Sequence, residues 1–326
     1  MKIAVTGANG HVGVNLCKAL LDCGHQVSAL THKNTQALKD IPVQLVKGNV
    51  LDPQSLTVLF KDVEVVFHLA ARISITGDPD GMVARTNAEG TRNMVAIALA
   101  QRVKRFIHFS SIHAFQQQPH HLQLDEFRPL VTNQGFAYDM SKATGERTVM
   151  EAVKKGLPAI VLSPTAIIGP RDPQPSLIGN AVIDIYNHKI PSLVPGGYDW
   201  VDVRDVVDAA ISAIDKGRVG EKYLLSGHWH SLKEFSALIQ EHSGRKTVSM
   251  VLPMWIAKVG LPFITVFSKM SKKEPLYTHE SLKIISEGSH LISNAKARNE
   301  LGFSPRSLSD SIRDMIDWLK QDGYIQ

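Results

Sequence analysis

Three glycines follow the first apolar segment of the chain, and their spacing constrains the fold more than any other feature. The segment 3–5 (IAV) is a short apolar run, typical of a buried parallel strand. Gly7, Gly10 and Gly13 come next at three-residue spacing, and apolar residues then recur with helical period up to Leu20. The pattern therefore predicts a strand, a tight glycine turn and a helix, in that order.

This order of elements is suited to holding a phosphate group. Glycines allow a tight turn and a close approach of ligand to backbone, while a helix N-terminus offers free N–H groups and a positive dipole end. A dinucleotide is the ligand that the turn predicts. The spacing is G-x-x-G-x-x-G rather than G-x-G-x-x-G, so an ordinary glycine-rich turn between strand and helix is the alternative.

Composition excludes several classes of protein. The 326 residues carry a net charge of +5 without a basic cluster, so we do not expect nucleic-acid binding. The two cysteines, Cys17 and Cys23, lie on one predicted helix and favour a reducing compartment. Because the first strand begins at once, we expect no signal peptide and a cytoplasmic protein. The apolar stretch 251–267 contains Lys258 and two prolines, which favours a surface or pocket-lining helix pair over membrane contact.

Residues after the second predicted strand bear on the choice of cofactor. The strand covers 26–30, and an acidic residue at its end would bind the ribose 2′-hydroxyl of NAD. Thr31, His32 and Lys33 stand there instead, and the next carboxylate is Asp40. We therefore predict NADP, with His32 and Lys33 as candidate phosphate contacts and NAD as the alternative. The other interpretation is that His32 and Lys33 are merely solvated loop residues.

Tyr138 and Lys142 are four residues apart, so on a helix they share one face. A phenol with a pKa of about 10 is a poor acid or base at neutral pH, and a nearby cation lowers that pKa. The predicted strand 104–110 ends in Ser110 and Ser111, whose hydroxyls could hold a substrate oxygen.

Further strands are predicted at 43–47, 64–69 and 222–226. A capping box at Ser231 predicts a helix that Gly244 ends, and an apolar stripe over 308–319 predicts a C-terminal helix.

Taken together, the motifs resemble the extended short-chain dehydrogenase/reductase family, also called the NAD-dependent epimerase/dehydratase family. The segments that carry the resemblance run in family order over nearly the whole chain: 6–13 (TGANGHVG), 48–52 (GNVLD), 67–71 (FHLAA), 87–91 (NAEGT), 109–111 (FSS), 138–142 (YDMSK), 163–170 (SPTAIIGP), 200–206 (WVDVRDV) and 296–303 (KARNELGF). Within the family, the chain is most similar to the dihydroflavonol-reductase-like branch, which includes cinnamoyl-CoA, aldehyde and 3β-hydroxysteroid-type members.

The resemblance implies a set of cofactor contacts. They are Gly7, Gly10 and Gly13 with the backbone of Asn9, His11 and Val12 at the pyrophosphate; Asn49 and Val50 at the adenine; Leu69, Ala70 and Ala71 along the dinucleotide; and Pro164 and Thr165 near the nicotinamide. The family usually has Asp where this chain has Asn49, and often Arg-Pro where it has Ser163 and Pro164.

The resemblance also implies catalytic roles. Tyr138 would exchange the proton, and Lys142 would lower the pKa of that tyrosine and bind the nicotinamide ribose. Ser111 would be the catalytic serine because it precedes Phe115 by four residues, as in the family, with Ser110 as the alternative. No metal site is predicted.

The implied fold is α/β, a doubly wound parallel sheet of Rossmann type with a smaller C-terminal α/β lobe. Residues 1–170 would bind the dinucleotide, with returns to the sheet at about 201–227, and 171–326 would mainly form the substrate-binding lobe. Five residues of that lobe could contact substrate or simply pack: His228, Trp229, His230, Trp255 and Tyr277.

The predicted activity is NADP-dependent reduction of a ketone or aldehyde, with a small-molecule partner, no nucleic acid and no stable membrane insertion. A homodimer is compatible with the resemblance. Two alternatives remain: a nucleotide-sugar epimerase or dehydratase with tightly bound NAD, and a non-catalytic NADP-sensing regulator.

Overall fold

Seven parallel strands form the main sheet of the computed structural model, which describes residues 1–32, 34–133, 135–261 and 277–326. The strands are β1 (Lys2–Thr6), β2 (Gln26–Thr31), β3 (Gln44–Lys47), β4 (Val65–His68), β5 (Arg105–Phe109), β6 (Ala159–Pro164) and, later in the chain, β9 (Lys222–Leu225). Their order is β3-β2-β1-β4-β5-β6-β9, so the direction of winding reverses between β1 and β4. At this point Ile3 of β1 pairs with Val27 on one side and with Val65 on the other. The predicted doubly wound sheet is confirmed.

Helices cover both faces of this sheet and make up much of the remaining chain. In order they are α1 (His11–Asp22), α2 (Pro53–Leu59), α3 (Met82–Ala84), α4 (Gly90–Ala100), α5 (Ala137–Val153), α6 (Leu177–Tyr186), α7 (Val203–Asp215), α8 (Leu232–Ser243), α9 (His279–Glu287), α10 (Ala295–Leu301) and α11 (Leu308–Gln321). Residues 254–261 are helical as well.

Each face of the sheet has its own apolar core. On one face, Leu16 of α1 and Val206 of α7 are fully buried against the strands. On the other face, Leu56 of α2, Met94 of α4 and Val149 of α5 are equally buried. When helices cover both faces of a sheet, the side chains on both sides of a strand are buried. This is why the sequences of β1 and β6 are mostly apolar.

A second, three-stranded sheet lies outside the main one. It joins β7 (Ala166–Ile168) in parallel and β10 (His228–Ser231) antiparallel to the central β8 (Gly197–Asp202). Its core includes Trp200, which stacks on Phe235 of α8 at a ring distance of 4.2 Å. The predicted capping box of Ser231 and Glu234 is present, and Gly244 ends α8 in the left-handed conformation. The division at residue 170 stays a prediction.

The helix that follows β4 begins before the family motif 87–91. Helical structure runs from Met82 and includes a π-helical segment, Arg85–Glu89. Within this segment Asn87 donates a hydrogen bond to Ser141 and accepts one from the backbone N–H of Arg72. This side chain therefore ties the loop after β4 to the helix that carries Tyr138.

The remaining predictions concern thiols and apolar surface. Both cysteines lie in the described part of the chain, and both are free; Cys17 is buried in α1 and Cys23 is exposed. Of the stretch 251–267, residues 262–267 lie outside the described residues. In the parts of the chain that the structure describes, no helix has the length and apolar character needed to cross a bilayer.

Candidate active site

The turn between β1 and α1 contains three glycines. At two of them, Gly7 and Gly13, there is no space for a larger residue. Gly7 adopts a φ of +71°, and a Cβ added to it would lie 2.8 Å from the backbone nitrogen of Ala70. A Cβ on Gly13 would lie 2.1 Å from the carbonyl oxygen of Gly7. A Cβ on Gly10 would meet only that same oxygen, at 3.4 Å, so Gly10 is not confined by packing. Gly10 instead faces open space beside the turn.

The N-terminus of α1 fits an anionic ligand. Its first turn carries no acidic residue, and no side chain of the described residues caps it. Asn9 Oδ1 is buried and has no hydrogen-bond partner within the described ranges, while Asn9 Nδ2 donates to the carbonyl of Asn34. The free N–H groups at the positive end of the helix dipole can donate hydrogen bonds to a dinucleotide. The unpaired buried amide oxygen of Asn9 can accept one.

Three polar side chains converge where β5 ends. The Ser111 hydroxyl lies close enough to the phenol of Tyr138 to lower its pKa. One turn further along α5, Lys142 Nζ donates to the carbonyl oxygen of Phe109 at 2.5 Å. The neighbouring Ser110 turns the other way, since its hydroxyl donates to Glu146 at 2.6 Å. Of the two adjacent serines, Ser111 is therefore the one placed beside the phenol.

Burial governs the charges of this group. It raises the pKa of Tyr138 to about 12, although the nearby hydroxyl of Ser111 opposes the rise. It lowers the pKa of Lys142 to about 8, with the negative charge of Glu146 opposing. The phenol is therefore protonated throughout the neutral range, and the amine remains largely charged.

This direction differs from the expectation that Lys142 lowers the pKa of Tyr138. The ammonium is bonded to the Phe109 carbonyl, and Ser111 rather than Lys142 is the partner of the phenol. Because a buried phenolate loses its hydration, desolvation dominates over any stabilisation of the anion. Tyr138 therefore carries its proton at neutral pH, and donating it requires an acceptor oxygen that has gained negative charge.

One cavity of about 1340 Å³ connects the glycine turn with these side chains. Every predicted site residue that the structure describes lines it: Gly7, Asn9, Gly10, His11, Val12, Gly13, His32, Asn49, Val50, Leu69, Ala70, Ala71, Ser110, Ser111, Tyr138, Lys142, Pro164 and Thr165. Lys33 lies outside the described residues. Gly7 and Thr165, 158 positions apart in sequence, thus share one cavity.

Local hydrogen bonds hold some of these residues in place. Asn49 Oδ1 accepts from the backbone of Leu51 at 3.0 Å, which fixes the turn after β3. Thr165 donates its hydroxyl proton to Asp199 at 2.6 Å. His32 is exposed at the rim of the cavity beyond β2.

The far end of the cavity is mostly apolar and comes from the second half of the chain. Its walls include Ile178, Ile183, Leu193, Trp200, Phe235 and Ile284, together with Tyr198 and Tyr277. Of the five residues that could contact substrate or pack, only Tyr277 lies in this wall. Trp229 instead stacks on His290 at 4.3 Å, and Trp255 is exposed at the surface.

Comparison with known proteins agrees with this geometry. The model of the NAD-dependent epimerase/dehydratase family matches residues 3–226. The chain belongs to that family.

Relatives of this epimerase/dehydratase family protein cover its whole length. Sterol demethylase protein B of Methylococcus capsulatus is 30% identical over 336 residues, with all of both chains covered. A protein of Synechocystis sp., provisionally named dihydroflavonol 4-reductase, is 27% identical and covers 99% of this chain and 95% of its own. The crystal structure of gox2253 superposes with a TM-score of 0.85 at 29% identity, with 99% of each chain covered. The family resemblance found from the sequence motifs is confirmed.

The family motifs do not draw attention to two further residues of the cavity wall. Asp139 follows Tyr138 directly, and burial raises the pKa of its carboxyl to about 6. Its Oδ1 lies 3.6 Å from Nδ1 of His113, whose pKa burial lowers to about 4. The ring of His113 meets that of Tyr138 edge-on at 6.1 Å. A carboxylate directly after Tyr138 in the motif 138–142 was the available sequence signal.

Proposed function

We propose that this protein is an NADP-dependent reductase of a ketone or aldehyde. One observation supports this most directly: a protonated phenol, beside Ser111 and one helical turn from Lys142, lies in the same cavity as a glycine turn suited to a diphosphate. A bound reduced nicotinamide would supply a hydride to the carbonyl carbon. The protein must then supply one proton to the carbonyl oxygen.

The side chains divide this work. Ser111 donates a hydrogen bond to the substrate oxygen and so holds it beside Tyr138. Tyr138 transfers its phenolic proton to that oxygen as negative charge develops there. The ammonium of Lys142 stabilises the phenolate that remains, because it is buried one helical turn further along the same face of α5. The reverse oxidation uses the same groups in reverse order.

The cofactor contacts follow the shape of the turn. Gly7, Gly10 and Gly13 would hold the pyrophosphate at the start of α1, and Tyr138 and Lys142 would meet the nicotinamide ribose. The absence of a carboxylate between Thr31 and Lys39 favours a 2′-phosphate. His32 at the cavity rim, with Lys33 beside it in sequence, would contact that phosphate.

The apolar far wall favours a bulky, weakly polar carbonyl compound. A nucleotide-sugar substrate would place a second diphosphate there, and Lys189, the lysine among the described residues of this wall, is already paired with Asp184 at 3.4 Å. The names of the relatives, a sterol demethylase component and a dihydroflavonol 4-reductase, agree with a large ring system.

The direct test is NADPH oxidation with a panel of aldehydes, cyclic ketones and sugar nucleotides. We expect turnover with apolar carbonyl compounds and a loss of about 100-fold or more in kcat for Tyr138→Phe. Tyr324→Phe is the matched control, because its phenol bonds only the carbonyl of Pro173 outside the cavity. Undiminished turnover in Tyr138→Phe would refute the mechanism. NAD retained through purification, without net NADPH oxidation, would favour an epimerase or dehydratase instead.

A further inference from the structure

A buried carboxylate lies next to the proposed catalytic amine, and the mechanism above does not use it. Glu146 is one helical turn beyond Lys142 on α5, and its side chain is fully buried. Its Oε2 accepts the hydroxyl proton of Ser110, at the end of β5. Its Oε1 lies 3.1 Å from Nζ of Lys222, the first residue of β9. A buried carboxylate needs such partners, because isolated burial of a charge is costly.

The other titratable groups around Lys142 cannot keep the amine charged. His68 comes from β4 and His108 from β5, and burial lowers the pKa of both, that of His68 to about 3. His113, in the turn after β5, also has a lowered pKa. Tyr138 on the same helix is a neutral phenol in this range. Of the described groups facing the amine, Glu146 is the one that supplies negative charge.

A second lysine, Lys222, pairs with the same carboxylate. Its Nζ lies 3.1 Å from Glu146 Oε1 and its side chain is 21% exposed, and Lys222 is not among the described residues that line the cavity. Two lysines from different elements thus lie near one buried carboxylate, Lys142 one helical turn away on α5 and Lys222 in direct contact.

We propose that Glu146 is a positioning residue that holds Lys142 in its charged form, and that Lys222 limits the strength of this effect. The proposal rests on the proposed function, in which the ammonium of Lys142 stabilises the phenolate. Because the three charges alternate in sign, removing Glu146 and removing Lys222 must move the titration of Lys142 in opposite directions. Loss of packing alone would not produce opposite signs.

The test is a titration of Lys142 by NMR in the full chain labelled with 13Cε-lysine, with Lys142→Met to assign the resonance. Glu146→Gln removes the negative charge, so we expect the pKa of Lys142 to fall by one pH unit or more from its value of about 8. Lys222→Met removes the competing cation, so we expect that pKa to rise. Glu146→Asp should restore part of the original value.

Two outcomes would overturn the proposal: an unmoved titration in Glu146→Gln, or shifts of the same sign in the two variants. If Glu146→Gln does not fold, Lys222→Met alone tests the proposal, because a fall or no change in the pKa of Lys142 would contradict it. The alkaline limb of kcat/KM should shift in the same directions. Undiminished turnover in Tyr138→Phe would overturn the proposed function, while the NMR titration would still decide the role of Glu146.

Discussion

The two ends of the cavity are built from different parts of the polypeptide. At the proposed cofactor end, backbone forms the wall: the glycine turn, the N-terminus of α1 and the ends of the parallel strands. At the far end, side chains form the wall, such as Ile183 of α6, Trp200 of β8 and Phe235 of α8. A wall of backbone depends on the fold itself, whereas a wall of side chains can change one residue at a time.

This difference predicts two kinds of mutational effect. Substitutions at the cofactor end should remove binding or catalysis, because they alter close backbone approaches and a buried hydrogen-bond network. Substitutions at the far end should change which substrate is preferred and leave cofactor affinity alone, because they alter the volume and shape of an apolar surface.

The glycine turn should show the largest effects, and two glycines separate folding from binding. Gly13→Ala places a methyl group 2.1 Å from the Gly7 oxygen, so we expect a loss of about 1–3 kcal/mol in the free energy of unfolding together with loss of NADPH binding. Gly10→Ala meets no such contact, so it should keep its stability yet bind NADPH at least about tenfold more weakly. Urea unfolding and NADPH fluorescence titration measure the two quantities. Wild-type affinity in Gly10→Ala would contradict the assignment of this turn to the pyrophosphate.

A substitution at the far end should have a smaller and more selective effect. Ile183→Ala enlarges the cavity beside the proposed substrate position, since the side chain lines the cavity and is half-buried. We expect the ratio of kcat/KM between a larger and a smaller carbonyl substrate to rise by about tenfold. The dissociation constant of NADPH should not change. If instead NADPH affinity falls with the substrate ratio unaltered, the two ends of the cavity are not separated as described.

Asp139 lines the cavity beside Tyr138, and we expect its burial to make the stability of the fold depend on pH. Its pKa in the folded protein is about 6, above the ordinary value of 3.8, so the folded state holds the proton more tightly than the unfolded chain does. The resulting contribution to stability is complete below about pH 4 and is lost as the pH rises through about 6.

Asp139→Asn removes the buried negative charge. The free energy of unfolding of the variant minus that of wild type should therefore be about 1–2 kcal/mol larger at pH 8 than at pH 4. Urea unfolding at the two pH values measures the difference. Asp62→Asn, at an exposed position, is the control and should show little dependence on pH. An equal effect of Asp139→Asn at both pH values would show that the carboxyl titrates normally.

Local sequence was sufficient for the elements that position the site. The glycine spacing predicted the turn after β1, the four-residue spacing of Tyr138 and Lys142 placed them on one helix face, and Ser231 with Glu234 predicted the start of α8. Each of these features depends on residues within about one turn of one another, where spacing alone determines geometry.

Tertiary structure decided the features that involve distant residues. Which of the two adjacent serines faces Tyr138 depends on Glu146, 36 positions beyond Ser110, because the buried carboxylate takes the Ser110 hydroxyl. The seventh strand, β9, joins the main sheet beside β6 only after the chain has built a second sheet. Desolvation likewise reverses the expected shift in the pKa of Tyr138, and burial is a property of the packed molecule that no short segment of sequence encodes.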